Sequence, residues 1–388
     1  MRRNRIILAI LWILSLVGIS FFGGPISYGF FALFTFVPVV CFAYLLYVYS
    51  FFHIYQEIDK KYLVAGQVTP FRFILINEFY FAFVSIRVKF YSSFSTITGL
   101  DDDVEYEFLP KTGIEEETKL TCKYRGEYEV GIKTVELQDF LHLFSISYRN
   151  REPKTVVVRP AKIELENLAA IDVPQLVSAN TGLNPVDKDV LLRKYEPGDD
   201  LRMVNWKATA RTGEMLIHNR ISDEKEGVGI LIGTERCSDD PMIYLPVENK
   251  MLEAAVALGM LFSKKNIPIQ SYHVSATKLE ETRIYGLGQF DRFYENMSLV
   301  SFREDFSEGY LFEETCKRPD LFKCRSIFLI IREWTEQVHN FVRILHENNV
   351  FSVVYLVRDD VPDNLPDERI PGVEIRRIGT EADLTEVM

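Results

Sequence analysis

The sequence predicts three structured parts: a transmembrane α-hairpin, an antiparallel β-sandwich, and an α/β domain with a mostly parallel sheet. Three observations carry this. Two long uncharged runs open the chain, short alternating segments follow, and continuous apolar segments then alternate with amphipathic ones. The divisions fall at 1–56 for the hairpin, 57–160 for the sandwich, 161–226 for a linker with a dense motif, and 227–388 for the α/β domain.

The first part begins with the basic stretch Met1 to Arg5. Ile6 to Phe22 carries no charge, Gly23-Gly24-Pro25 breaks it, and Ile26 to Phe52 is again uncharged and rich in Phe, Val, Leu and Tyr. A bilayer span needs roughly 20 apolar residues. A cleaved signal peptide followed by a core helix is the other reading, but the second run is too long and too aromatic for it. Pro38 is tolerated as a kink, and Tyr44, Tyr47, Tyr49 and Tyr55 suit an interfacial belt. Arg2, Arg3 and Arg5 precede the first span, Lys60 and Lys61 follow the second, and the connecting loop has no cation. The positive-inside rule therefore places both ends in the cytoplasm, in a cell (inner or plasma) membrane crossed twice.

From Leu63 to about Pro160 the pattern has period two, at 71–76, 82–90, 104–108, 119–124, 129–137 and 155–160. Short alternating strands at near-regular spacing predict a small antiparallel sandwich. From Gly227 the segments 228–232, 267–274, 326–331, 350–357 and 373–378 read as strands, and 248–265 and 335–347 as helices. Apolar strands joined by helices predict a parallel sheet covered on both faces.

Composition narrows the function. The net charge of −11 argues against nucleic acid as a partner. The five cysteines (Cys41, Cys122, Cys237, Cys316 and Cys324) show no paired spacing, so reduced thiols are expected. No phosphate-binding loop is present; Gly286-Leu287-Gly288 lacks a third glycine, and the six histidines show no metal spacing. No catalytic residue, metal ligand or cofactor is assigned.

The densest stretch runs from Arg193 to Arg211. Pro197-Gly198 forms a turn, Asp199 or Asp200 caps a helix, and Arg211 suits its C-terminal dipole. Met203, Trp206 and Ala210 fall on one stripe. On chemistry alone this is a well-capped surface helix with ordinary ion pairs.

The pattern R-x-Y-x-P-G-D-x-x-R-x-x-x-W-x-x-x-A-R resembles the signature of the bacterial family catalogued as domain of unknown function fifty-eight. Arg193, Tyr195, Pro197, Gly198, Asp199, Arg202, Trp206, Ala210 and Arg211 match it. Arg125-Gly126 with Tyr128 and Gly131, and Asp139 to Phe144, are similar to two further family stretches, although His142 replaces a glycine. The resemblance implies that the α/β domain is like a von Willebrand factor A (VWA) domain. It also implies a cytosolic MoxR-type AAA+ ATPase as partner. A functional VWA domain offers D-x-S-x-S after its first strand; here Gly233, Glu235 and Cys237 stand at those places, and the third strand ends in Arg332-Glu333 instead of Asp. The cation site is thus expected to be degenerate, with Glu235, Asp239 and Asp240 as the residual acids.

The expected function is a non-enzymatic, membrane-anchored interaction protein. Arg193, Tyr195, Asp199, Arg202 and Arg211 would form its interaction surface, with Pro197, Gly198, Trp206 and Ala210 as support. Two readings stand beside it: a hydrolase using the Asp/Arg/Tyr cluster, and a structural homo-oligomer formed through the hairpin.

Overall fold

The computed structural model describes residues 1–168, 191–194, 209–210, 215–219, 227–275, 278–360 and 372–388, with the backbone path alone for 191–194 and 216–219. The chain divides into two compact units, 1–161 and 162–388.

The first unit opens with α1 (Arg2–Phe22) and α2 (Pro25–Phe51). Gly23 and Gly24 turn between them at φ 52° and 112°, values glycine tolerates because it has no Cβ. Both helices are long and apolar enough to cross a membrane, with a mean hydropathy of 2.3. Only 6% and 17% of their apolar windows are buried, so neither is the core helix of this unit.

Helix α2 passes without a linker into β1 (Phe52–Ile58). The hairpin was expected to reach residue 56, and Tyr55 to sit in its aromatic belt. Instead 52–56 is strand, because Phe-His-Ile-Tyr-Gln-Glu-Ile alternates with period two and pairs antiparallel with β3 (Val68–Asn77). Tyr44, Tyr47 and Tyr49 do lie at the helix end, where they pack on the sandwich core.

The remaining strands of this unit are β2 (Tyr62–Val64), β4 (Phe83–Phe90), β5 (Ser95–Thr98), β6 (Asp103–Phe108), β7 (Gly113–Cys122), β8 (Gly126–Val130), β9 (Ile132–Gln138), β10 (Ser145–Arg149) and β11 (Lys154–Arg159). They form sheets in the orders β1-β3-β7-β5, β10-β9-β4-β6 and β2-β11-β8. Pairing is antiparallel except between β2 and β11. Alternate residues point inward, so Phe71, Phe73 and Leu75 of β3 share a core with Ile86, Val88 and Phe90 of β4. Leu45 and Val48 of α2 belong to that same core, which fixes the helix end to the sandwich.

One expectation changes here. The single strand expected over 129–137 is two strands in different sheets, divided by Gly131 at φ 84°. His142 holds φ 52°, the left-handed conformation that glycine favours, at some backbone cost.

The second unit contains a six-stranded sheet among the described residues, in the order β16-β15-β14-β17-β18-β19. These are β14 (Val228–Ile232), β15 (Ile269–Ser275), β16 (Lys278–Ile284), β17 (Ser326–Ile331), β18 (Phe351–Val357) and β19 (Val373–Ile378). All pairings are parallel except β15 with β16, as the apolar strands predicted. The helices are α3 (Pro241–Lys264), α4 (Phe290–Leu299), α5 (Glu308–Cys316), α6 (Glu336–Glu347) and α7 (Leu384–Val387). They cover both faces. Ile230, Ile232 and Phe328 meet α3 and α4 on one side, while Leu231, Ile327 and Leu329 meet α5 and α6 on the other.

The start of the expected linker is not free. Leu165 and Leu168 are buried in the α/β core, and Lys162 Nζ lies 4.2 Å from the centre of the Tyr294 ring. A separate antiparallel pair joins β12 (Leu191–Lys194) to β13 (Leu216–Asn219).

Candidate functional site

In an open α/β sheet, ligands gather at the carboxyl ends of the strands where the strand order reverses. Here the chain goes from β14 to its neighbour β15, then returns to place β17 on the other side of β14. The reversal therefore lies between Ile232-Gly233 and Ile331-Arg332.

The loop after β14 is held tightly. Gly233 N–H donates to Ile330 O at 2.9 Å, and the buried Thr234 hydroxyl donates to Val274 O at 3.1 Å. Arg303 N–H donates to Thr234 O and Arg236 N–H to Arg303 O, each at 3.1 Å. Arg236 then pairs with the buried Glu248 at 2.8 Å, and its guanidinium lies 3.9 Å from the centre of the Tyr244 ring.

The centre of the crevice is a carboxyl that sequence reading missed. Glu308 begins α5, and its Oε1 comes within 2.5 Å of where a Cβ on Gly233 would lie. Glu308 as a whole residue is half-buried. Burial, reinforced by the Glu235 and Glu333 carboxylates, pushes Glu308 up to about 8 against a partial offset from Arg332. Near neutral pH it is therefore largely a neutral acid, able to donate a hydrogen bond. Glu235 is engaged as well, because its Oε2 accepts from Glu308 N–H at 3.4 Å. On the opposite face of the sheet, the one covered by α3 and α4, burial lowers the pKa of His273, opposed by Glu280 at 3.4 Å.

These residues do not fit a divalent cation. Hard cations require several charged or carbonyl oxygens. Gly233 offers no side chain, and Glu308 fills the adjoining space with a protonated carboxyl. Asp240 is committed elsewhere, capping α3 by accepting from Met242 N–H at 2.9 Å. Among the described residues, no cluster of three or more His, Cys, Asp or Glu is placed to hold a metal.

The densest sequence motif is only partly placed. Arg193 is on β12, with Ile217 of β13 as its partner residue. Tyr195, Pro197, Gly198, Asp199, Arg202, Trp206 and Arg211 lie outside the described residues. Thr209 and Ala210 are helical, as expected, but Ala210 is exposed and so does not belong to a buried stripe. No sequence signal marked Glu308, because only the packing of α5 brings it beside Gly233.

A family profile described as "Protein of unknown function DUF58" matches residues 191–268. The match runs from β12 to the threshold of β15 and supports the resemblance carried by the Arg193–Arg211 pattern. No curated protein matches the chain. Among solved structures, a CARDB domain from Pyrococcus furiosus in complex with di-metal ions is similar at 15% identity and a TM-score of 0.19. That likeness covers 28% of this chain and 94% of the other. The sporulation control protein Spo0M of Bacillus subtilis is similar at 10% identity and a TM-score of 0.19, covering 37% of this chain and 58% of Spo0M. MyfA, the major subunit of Myf fimbriae from Yersinia enterocolitica, is similar at 15% identity and 0.18, covering 27% and 98%. Scores this low carry no argument about function.

Proposed function

We infer, from the DUF58 match over residues 191–268 taken with two apolar N-terminal helices, that this chain is a membrane-anchored, non-enzymatic interaction protein. In this reading α1 and α2 cross the bilayer, with the N-terminus and everything after residue 52 on the cytoplasmic side. The observation that carries the reading is the direct passage of α2 into β1, which would leave the sandwich held at the membrane surface.

The α/β unit is then VWA-like, supported by its strand order and its helix-covered faces. The replacement of a cation ligand by Gly233, with Glu308 beside it, favours binding through protein surface over binding through a metal. Family resemblance makes a cytosolic MoxR-type AAA+ ATPase the partner, in assembly or maturation of envelope or secreted factors. The segment from Arg193 to Arg211 is the proposed contact. Tyr195 and Arg202 make the contacts, since Tyr and Arg are common interface anchors. Asp199 orients the loop.

Capture from detergent-solubilised native membranes in the presence of ATP tests this. The expected result is retention of an AAA+ ATPase, lost on Arg202→Ala while the melting transition is unchanged. A preparation that retains no ATPase, or that self-associates without one, contradicts the partnership.

A further inference from the structure

The end of the sandwich nearest the helices carries an apolar rim that the described residues leave exposed. Strand register locates it. Phe52 pairs with Asn77, Phe83 with Phe108, and Ser85 with Gln138, so the loops 78–82, 109–112 and 139–144 all gather where α2 enters β1. Tyr80, Phe81, Leu109, Phe140 and Leu141 are 74%, 61%, 70%, 43% and 41% exposed there. Apolar side chains clustered on a monomer surface mark a contact site.

Two fully buried polar residues hold these loops in place. Asn77 Nδ2 donates to Phe81 O at 2.8 Å and to Leu109 O at 3.1 Å. Asp139 accepts from Leu141 N–H at 3.1 Å and Phe144 N–H at 2.6 Å. Loop 139–144 is also tied to the first turn of α1, through Asn4 Nδ2 to Leu141 O at 2.8 Å and Arg5 Nε to Leu143 O at 2.5 Å. Tyr44 of α2 reaches the other loop, donating to Ala82 O at 2.8 Å.

Those ties set a depth. A bilayer core takes about 20 helical residues, or roughly 30 Å at 1.5 Å per residue. Counted from the Gly23-Gly24 turn, that length ends near Arg3 on α1 and Tyr44 on α2. The rim is bonded at that level. Cations flank it: Lys111 Nζ lies 4.1 Å from the centre of the Tyr80 ring, and Arg5 sits beside Phe144. Glu78 is the one exposed acid in these loops. An apolar and aromatic rim with basic neighbours matches the headgroup–acyl boundary of an anionic bilayer.

We propose that this rim enters the lipid interface of the membrane its own helices cross, so that the sandwich is seated on the bilayer. The proposal rests on the spanning reading above, and its test separates the two. The full chain, with the half-exposed Cys237 and Cys316 changed to Ser, receives one environment-sensitive fluorophore at Phe81→Cys, Leu141→Cys, Leu14→Cys or Asp101→Cys. Each variant is reconstituted in phosphatidylcholine–phosphatidylglycerol vesicles. Lipids carrying a nitroxide near the headgroup or near the chain end serve as quenchers.

The expected result is loss of emission at 81 and 141 to the headgroup-level quencher. Position 14 loses emission mainly to the deep quencher, and position 101, at the far end of the sandwich, to neither. Emission at 81 and 141 that matches position 101, with 14 still quenched, overturns the rim contact and leaves the spanning reading intact; a protein covering the rim would give this result. No quenching at position 14 overturns both.

Discussion

Gly131 shows how one residue decides a fold boundary. It holds φ 84°, and a Cβ there would collide with the Gln56 side-chain oxygen and touch Phe71. Gly131→Ala is expected to cost about 1–3 kcal/mol, since strain and overlap both act. A denaturant melt unchanged from the parent would contradict this. Glu308 carries a pH signature. Its pKa is raised from the usual 4.5 to about 8, so the folded state binds the extra proton. Its contribution to stability is full below 4.5 and is lost as pH rises through 8. Glu308→Gln should flatten that decline in the melting temperature of the α/β unit; a parallel decline in the variant would assign it to other groups. Neither role was fully legible. Gly131 looked like part of a motif, but its positive φ followed from strands leaving for different sheets. Glu308 was one acid among many until α5 placed it beside a glycine.

At the scale of elements, legibility followed periodicity. Every apolar strand of the parallel sheet was readable, because burial on both faces leaves a continuous run. The edge strand β16, Lys-Leu-Glu-Glu-Thr-Arg-Ile, was missed because its charges read as loop. Helix α4 was missed although Phe290, Phe293, Tyr294 and Met297 are its buried face at helical spacing. The end of α2 was misplaced because a run of apolar residues hides the change of period at Phe52. Asn77 links elements that no pattern connects, bracing two loops from inside the sandwich. Asn77→Ala should cost about 1–3 kcal/mol by removing its hydrogen bonds to Phe81 O, Leu109 O and Phe79 N–H. Unfolding in denaturant measures it, and a loss well under that range would mean the loops relax to find other partners.

At the scale of the whole molecule, the chain is two compact units of different surface character. The unit 1–161 carries both apolar helices, and the unit 162–388 carries the parallel sheet with helices on both faces. Residues 162–388 expressed alone are expected to stay in solution without detergent and to melt cooperatively. Residues 1–161 should sediment with membranes and resist carbonate extraction. Aggregation of the first fragment, or release of the second by carbonate, would contradict that division.

The most direct measurement of the central claim is cysteine accessibility in intact spheroplasts, using a membrane-impermeant maleimide. It compares Phe22→Cys, beside the helix turn, with Asp101→Cys, in the sandwich. Labelling is expected at 22 in intact cells and at 101 only after lysis. Labelling at 101 before lysis, or none at 22 until lysis, would contradict a hairpin that crosses the membrane and leaves the sandwich in the cytoplasm.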